Sequence, residues 1–124
     1  MNIPDNLKYT IDHEWVKIED DIATIGITEF AQGELGDVIF VELPEVDDEF
    51  ESQETFGTVE AVKTVADLLL PISGKIIKIN ESLEDSPDNV NTDCYGEGWI
   101  IKIEISDASE LDNLLTSDQY KEHI

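Results

Sequence analysis

Few residues in this chain are of a type and spacing that could do chemistry, and most groupings fail on inspection. A serine or cysteine nucleophile wants a histidine base, and the sequence holds only His13 and His123, the latter next to last. The seven glycines are scattered and form neither GxGxxG nor GxxxxGK, so no phosphate-cradling loop is written here. No Cys/His cluster has zinc spacing. Paired acids such as Asp47 and Asp48 are weak calcium candidates without the loop pattern of a calcium hand. What remains is Lys63, inside the apolar run TVEAVKTVADLLLPI (58–72). No other lysine falls between Lys17 and Lys75, and there is no arginine. A lone cation there either snorkels from an apolar stripe or is exposed for a reason.

Lys63 must be positioned by its neighbours, and these read as strands. TFGTVEAV (55–62) and TVADLLL (64–70) flank it; paired as a hairpin, they put Lys63 at the tip with its side chain in water. EAVKTVA contains no Asn-Gly or Asp-Gly, so turn propensity did not select this turn, and a local rule broken at one spot often marks function. The competing reading is one continuous helix or strand with Lys63 as a solvated side chain.

Other strands are expected at 13–18 (HEWVKI), 22–27 (IATIGI), 37–43 (DVIFVEL), 75–79 (KIIKI) and 99–105 (WIIKIEI). A short helix is expected near 28–35, capped by Thr28 and ended by Gly36. Residues 45–54 read as an acidic turn, and 80–98 as a long loop with one helical turn opened by Ser86 before Pro87. Helices are expected near 109–123, with capping boxes at Ser109/Asp112 and Thr116/Gln119, and with Leu111, Leu114 and Leu115 on one face. The sum is a mainly β fold, a flattened two-sheet sandwich or barrel.

A length of 124 residues fits a single domain, 1–124, with a real core. Seven lysines against thirty acids give a net charge of −23, which argues against nucleic acid and anionic membrane surfaces and suits solubility or a basic partner. Cys94 is the only cysteine and has no internal partner, which fits a reducing compartment. No apolar run approaches the ~20 residues that span a bilayer, and MNIPDNLKYT has no signal or transit pattern. A soluble, cytoplasmic protein is expected, or a mitochondrial-matrix one if this is a processed eukaryotic chain.

GTVEAVKTVADLLLPISGKI resembles the lipoyl-attachment segment of glycine cleavage system H proteins. HEW, GITEFAQ, LGD, VELP, the Glu60–Lys63 spacing and YGEGW extend the resemblance over essentially the whole chain. Biotin carriers place methionines beside their lysine, whereas Val62 and Thr64 stand here. One departure is Asp47-Asp48, where the family often has Gly-Asp.

The resemblance implies a lipoyl/biotinyl-carrier-like hybrid fold and lipoate amide-linked to Lys63. It implies a non-catalytic shuttle that takes an aminomethyl group from a pyridoxal-phosphate glycine decarboxylase to a tetrahydrofolate-dependent aminomethyltransferase. A dihydrolipoyl dehydrogenase then reoxidises the dithiol, and a lipoate ligase or lipoyl transferase attaches the cofactor. Glu60 is the residue such a modifying enzyme would read. Glu14 and Asp67 are candidates to hold the loaded amine in a surface cleft, since a cationic amine in a partly dry site wants a carboxylate. His13 is either cleft wall or packing, Trp15 packing, Trp99 core at a strand start after Gly98, Leu70 core or rim, and Cys94 incidental. On strand alternation, Leu68 and Asp67 point to opposite faces and do not share a groove wall unless the strand bends. Two further readings stand beside the shuttle: an H-like protein that donates lipoate to other lipoyl enzymes, and an unmodified interaction module of the same fold.

Overall fold

The computed structural model describes residues 2–124. Nine strands, β1 (Lys8–Tyr9), β2 (Glu14–Glu19), β3 (Ile22–Ile27), β4 (Val38–Glu42), β5 (Glu49–Phe50), β6 (Thr55–Ala61), β7 (Val65–Leu69), β8 (Gly74–Ile79) and β9 (Ile101–Ile105), form two antiparallel sheets. The larger sheet runs β1-β2-β3-β9-β8-β5 and the smaller β4-β6-β7. This is the expected mainly β, two-sheet architecture, and the sandwich is not closed into a barrel. Alternating residues of both sheets, among them Val16, Ile25, Val41, Val59, Ile76 and Ile103, make one buried core between them.

The short helix α1 (Glu29–Leu35) forms where expected. The Thr28 hydroxyl accepts from the Ala31 N–H, and Gly36 ends the helix at φ 79°, a left-handed backbone that glycine adopts without a Cβ clash. Ala31 and Leu35, one turn apart, pack on the core. The 80–98 stretch is more ordered than expected and carries two helical turns, α2 (Ser82–Asp85) and α3 (Asn89–Thr92). The 45–54 segment contains the edge strand β5, and its turn is made by Asp47 at φ 80°, a conformation that aspartate tolerates.

The C-terminal expectation needs three corrections. Ser109 and Asp112 form no capping box; a 3-10 helix (Ala108–Asn113) is capped two residues earlier, with the Asp107 side chain accepting from Ser109. A six-residue 3-10 segment has no regular amphipathic face, so the three leucines part company. Leu111 and Leu114 join the main core, while Leu115 packs on a second cluster with Ile3, Leu7, Tyr9, Trp15 and Tyr120. Trp99 is only half-buried and precedes β9, with the Lys78 and Lys102 ammonium groups 5.9 and 5.5 Å from its ring. The second box is present: Thr116 and Gln119 cap α4 (Ser117–His123) reciprocally.

One glycine is demanded by the smaller sheet. A Cβ on Gly57 would stand 2.3 Å from the backbone oxygen of Glu42 on β4, at the register shift between Thr55 and Gly57. The obstacle is the Glu42 backbone, which cannot yield as a side chain could. Gly57→Ala is expected to lower stability by roughly 2 kcal/mol, read as a shift of the urea midpoint; an unchanged midpoint would show that the sheet has room.

Candidate functional site

Strands β6 and β7 pair antiparallel from Thr55↔Leu69 to Glu60↔Val65, so Lys63 lies in the connecting loop, and it is exposed. The continuous-helix reading is thereby excluded. None of Val62, Lys63 or Thr64 has a positive φ, which is why no Asn-Gly is written there. The loop is closed by Ala61 N–H donating to Thr64 O (2.7 Å) and held from outside by Val62 N–H donating to Asp37 O (3.0 Å). The second bond ties the tip to the end of α1. Lys63 joins neither of the two ion pairs among the described residues, Lys17–Glu19 and Lys75–Asp47. Its stem lies along the α1 terminus, with Cε 3.4 Å and Nζ 3.9 Å from where a Gly36 Cβ would stand.

Asn91 fixes that terminus. Its amide nitrogen donates to Gly36 O (2.8 Å) and Gln32 Oε1 (3.0 Å), and its oxygen accepts from Val38 N–H (2.8 Å). One side chain on α3 therefore sets where α1 stops and where β4 begins.

Beyond Lys63, a cavity of about 380 Å³ opens between α1 and β7. Phe30, Ala31 and Leu35 of α1 form one wall, Ala66 and Leu68 of β7 the other, and Ile27 of β3 lies at its base. Glu14 and Asp67 both line it, with His13, Asp12 and Glu34. The alternation argument against Asp67 and Leu68 sharing a wall fails for a physical reason. β7 is the edge strand of its sheet, and the cavity runs along that edge rather than over one face. Leu70 is fully buried in the core.

Glu14 is 3% exposed. Thr10 Oγ1 receives the N–H groups of Asp12 and Glu14 (both 3.2 Å), so its own hydroxyl proton goes to Glu14 Oε1 (3.1 Å). Leu69 N–H donates to Oε2 (2.9 Å). Both carboxyl oxygens are thus acceptors from the protein, and a proton on Glu14, or a cation bound to it, must use a remaining lone pair. Burial pushes the carboxyl up to about 8, against the opposing pull of these two hydrogen bonds.

His13 closes the other end. It takes φ 68°, its Nδ1 lies 2.9 Å from the Tyr120 hydroxyl, and its ring lies tilted against that of Phe30, centroids 4.7 Å apart. Burial, and then the neighbouring His123, hold its pKa below the ordinary value, so the neutral ring is favoured. His13 is therefore wall, whereas Trp15 is packing: it is 2% exposed, with Nε1–H donating to Cys94 O (2.9 Å). Glu60 stands apart from the cavity, on the outer face of the small sheet between Phe40 and Val65. Sequence reasoning missed the α1 wall; the signal was the i, i+4 pair Phe30 and Glu34, which share a flank of the helix not used for packing on the core.

The lysine, the carboxylates and the cavity are the parts that a tethered arm needs, and the comparisons point the same way. The glycine cleavage system H protein of Staphylococcus haemolyticus is 60% identical over 124 residues, covering 100% of this chain and 98% of the relative. That of Staphylococcus carnosus is 57% identical over the same span. The crystal structure of a glycine cleavage system H protein from Mycobacterium marinum superposes with a TM-score of 0.90 at 40% identity, covering 97% of each chain. The family described as glycine cleavage H-protein matches residues 7–124, and the chain belongs to it.

Proposed function

We propose that this protein is the lipoyl carrier of a glycine cleavage system, with lipoate amide-linked to Lys63. The observation that carries the reading is the exposed Lys63 amine at a hairpin tip, its stem beside a cavity with apolar walls and two carboxylates. The residues fit the group: an amine in no ion pair among the described residues, and a groove able to shelter an apolar arm. Bound lipoate would supply a disulfide that accepts an aminomethyl group as it is reduced, and the tether would raise its concentration at each docked partner. The protein itself presents and protects, and catalyses nothing. Its partners on this reading are a pyridoxal-phosphate glycine decarboxylase, an aminomethyltransferase, a dihydrolipoyl dehydrogenase and a lipoate ligase or lipoyl transferase, in the cytoplasm. No described helix is long and apolar enough to cross a membrane.

In this reading Glu14 and Asp67 receive the amine of the loaded arm. An ammonium in an apolar groove is costly to leave unpaired. Glu14 is neutral near pH 7 before the cation arrives and ionises against it, while exposed Asp67 supplies charge at the mouth. Ile27, Phe30 and Leu68 exclude the water that would hydrolyse the load.

Three measurements test this. Lys63→Arg should fold normally, gain no lipoyl mass and support no glycine decarboxylation, because a guanidinium does not substitute for the acylated amine; activity in a reconstituted system would show that another group carries the load. Glu14→Gln with Asp67→Asn should accept lipoate yet release ammonia from the loaded form at least about tenfold faster when the transferase is withheld, since one lost charge-assisted contact is worth ~1.5–3 kcal/mol. Release at the wild-type rate would leave the carboxylates without a protective role.

The third concerns pH. Glu14 in the unfolded chain loses its proton near 4.5, but in the folded protein near 8. The proton therefore stabilises the fold fully below pH 4.5, and this contribution is lost as pH rises through 8. Relative to Glu14→Gln, which has no such proton, the wild type should lose at most ~1.4 kcal/mol per pH unit across that window and then level off. Parallel urea-stability profiles of the two proteins would mean that Glu14 is ionised throughout.

A further inference from the structure

The outer face of the small sheet carries a feature that the arm cavity does not explain. Eight large apolar side chains are well exposed among the described residues, and four of them, Ile39, Phe40, Val62 and Val65, lie on β4 and the Lys63 hairpin. Their exposure is constructed. Val38 pairs with Ala61 and Phe40 with Glu60, so one extra residue, Ile39, is bulged out of β4. The bulge breaks the alternation and turns two successive apolar side chains, 55% and 49% exposed, to the surface. Across the sheet the same row continues Phe40, Glu60, Val65, with Val65 60% exposed, and Val62 at the tip is 74% exposed. The next outward row is Glu42, Thr58 and Asp67, polar throughout. An apolar seat with an acid at its centre and acids along one border therefore surrounds the lysine.

Charge decides what can cover it. A second copy of a chain of net charge −23 is repelled, as are an anionic bilayer and a nucleic acid. A protein face with apolar side chains inside a rim of Lys or Arg is complementary on both counts. The acids Glu42, Glu60 and Asp67 would steer such a face to the surface that carries Lys63. We propose that Phe40, Val62 and Val65, with Glu42 and Glu60, form the docking surface for the enzyme that acylates Lys63, and that this enzyme presents a basic-rimmed apolar face to it. The proposal rests on the reading that Lys63 is acylated. In that step the Lys63 amine, having given its proton to solvent, attacks the carbonyl of an acyl adenylate. The C–N bond forms as the adenylate leaves with the electrons of its C–O bond, and the second proton of the amine passes to solvent as the amide is completed.

The test uses the full chain with a lipoate–protein ligase, lipoate and ATP, following lipoyl gain by intact mass. Phe40→Ser with Val65→Ser should lower kcat/KM by at least about tenfold through KM, as loss of a buried apolar anchor does. Val62→Ser, outside both strands, should act in the same direction and covers the case in which the double variant folds poorly. Acetylation of Lys63 by a small amine-reactive ester should be unchanged in every variant, because it needs no docking. Glu42→Gln should make the fall of kcat/KM with salt shallower. A wild type that gains no lipoyl group would overturn the carrier reading and this proposal together. A lipoylated wild type whose variants keep its KM would overturn the docking surface alone. So would a salt-insensitive reaction, or a wild-type dimer abolished by Phe40→Ser with acylation unaffected.

Discussion

The hydrogen bond from Leu69 N–H to Glu14 Oε2 joins the two sheets beside their apolar core. It starts on β2 and ends on β7, an edge strand whose outward N–H groups have no neighbouring strand. An unmatched backbone donor at a half-dry edge is costly, and the carboxylate answers it from the other layer. Because the bond crosses the layers at the cavity, it fixes the distance between β2 and β7 at that point. Thr10 holds the same carboxylate in place, with its hydroxyl committed by two backbone N–H groups. The geometry of the groove thus follows from one buried acid that is short of water rather than from a loop.

A second set of constraints works from outside the hairpin. Asn91 anchors the end of α1, α1 anchors Asp37, and Asp37 O receives the N–H of Val62. Lys63 is consequently held by a chain of contacts that begins in the 80–98 segment, far from it in sequence. The hairpin loop needs no special turn residue because its conformation is imposed from that side.

This division explains what the sequence disclosed. The strands around Lys63, the Thr28–Gly36 helix and the Thr116–Gln119 capping box were legible because each depends on nearest neighbours or on alternation. Lys63 at a hairpin tip was legible as the one cation in an apolar run, and Glu14 and Asp67 as its companions only through the family resemblance. The α1 wall, the role of Asn91 and the bulge at Ile39 were not legible, since each depends on segments some twenty residues or more apart; the role of Thr10 is local but depends on side-chain geometry that no strand or turn pattern announces. The Ser109 capping box was misread because Asp107, two residues earlier, competes for the same N–H group and holds it. The β7 wall was misread because alternation describes the faces of a sheet and says nothing about its edge.

The single cysteine has a consequence for redox chemistry. Cys94 is buried beside Trp15, and desolvation first, with the neighbouring Glu29 charge next, pushes its thiol up to about 11. At neutral pH roughly one such thiol in ten thousand is a thiolate, the form that attacks a disulfide. A protein whose proposed cargo cycles between dithiol and disulfide therefore keeps its own sulfur out of the exchange. On the carrier reading, a thiol so rarely ionised would compete little for a disulfide held at Lys63.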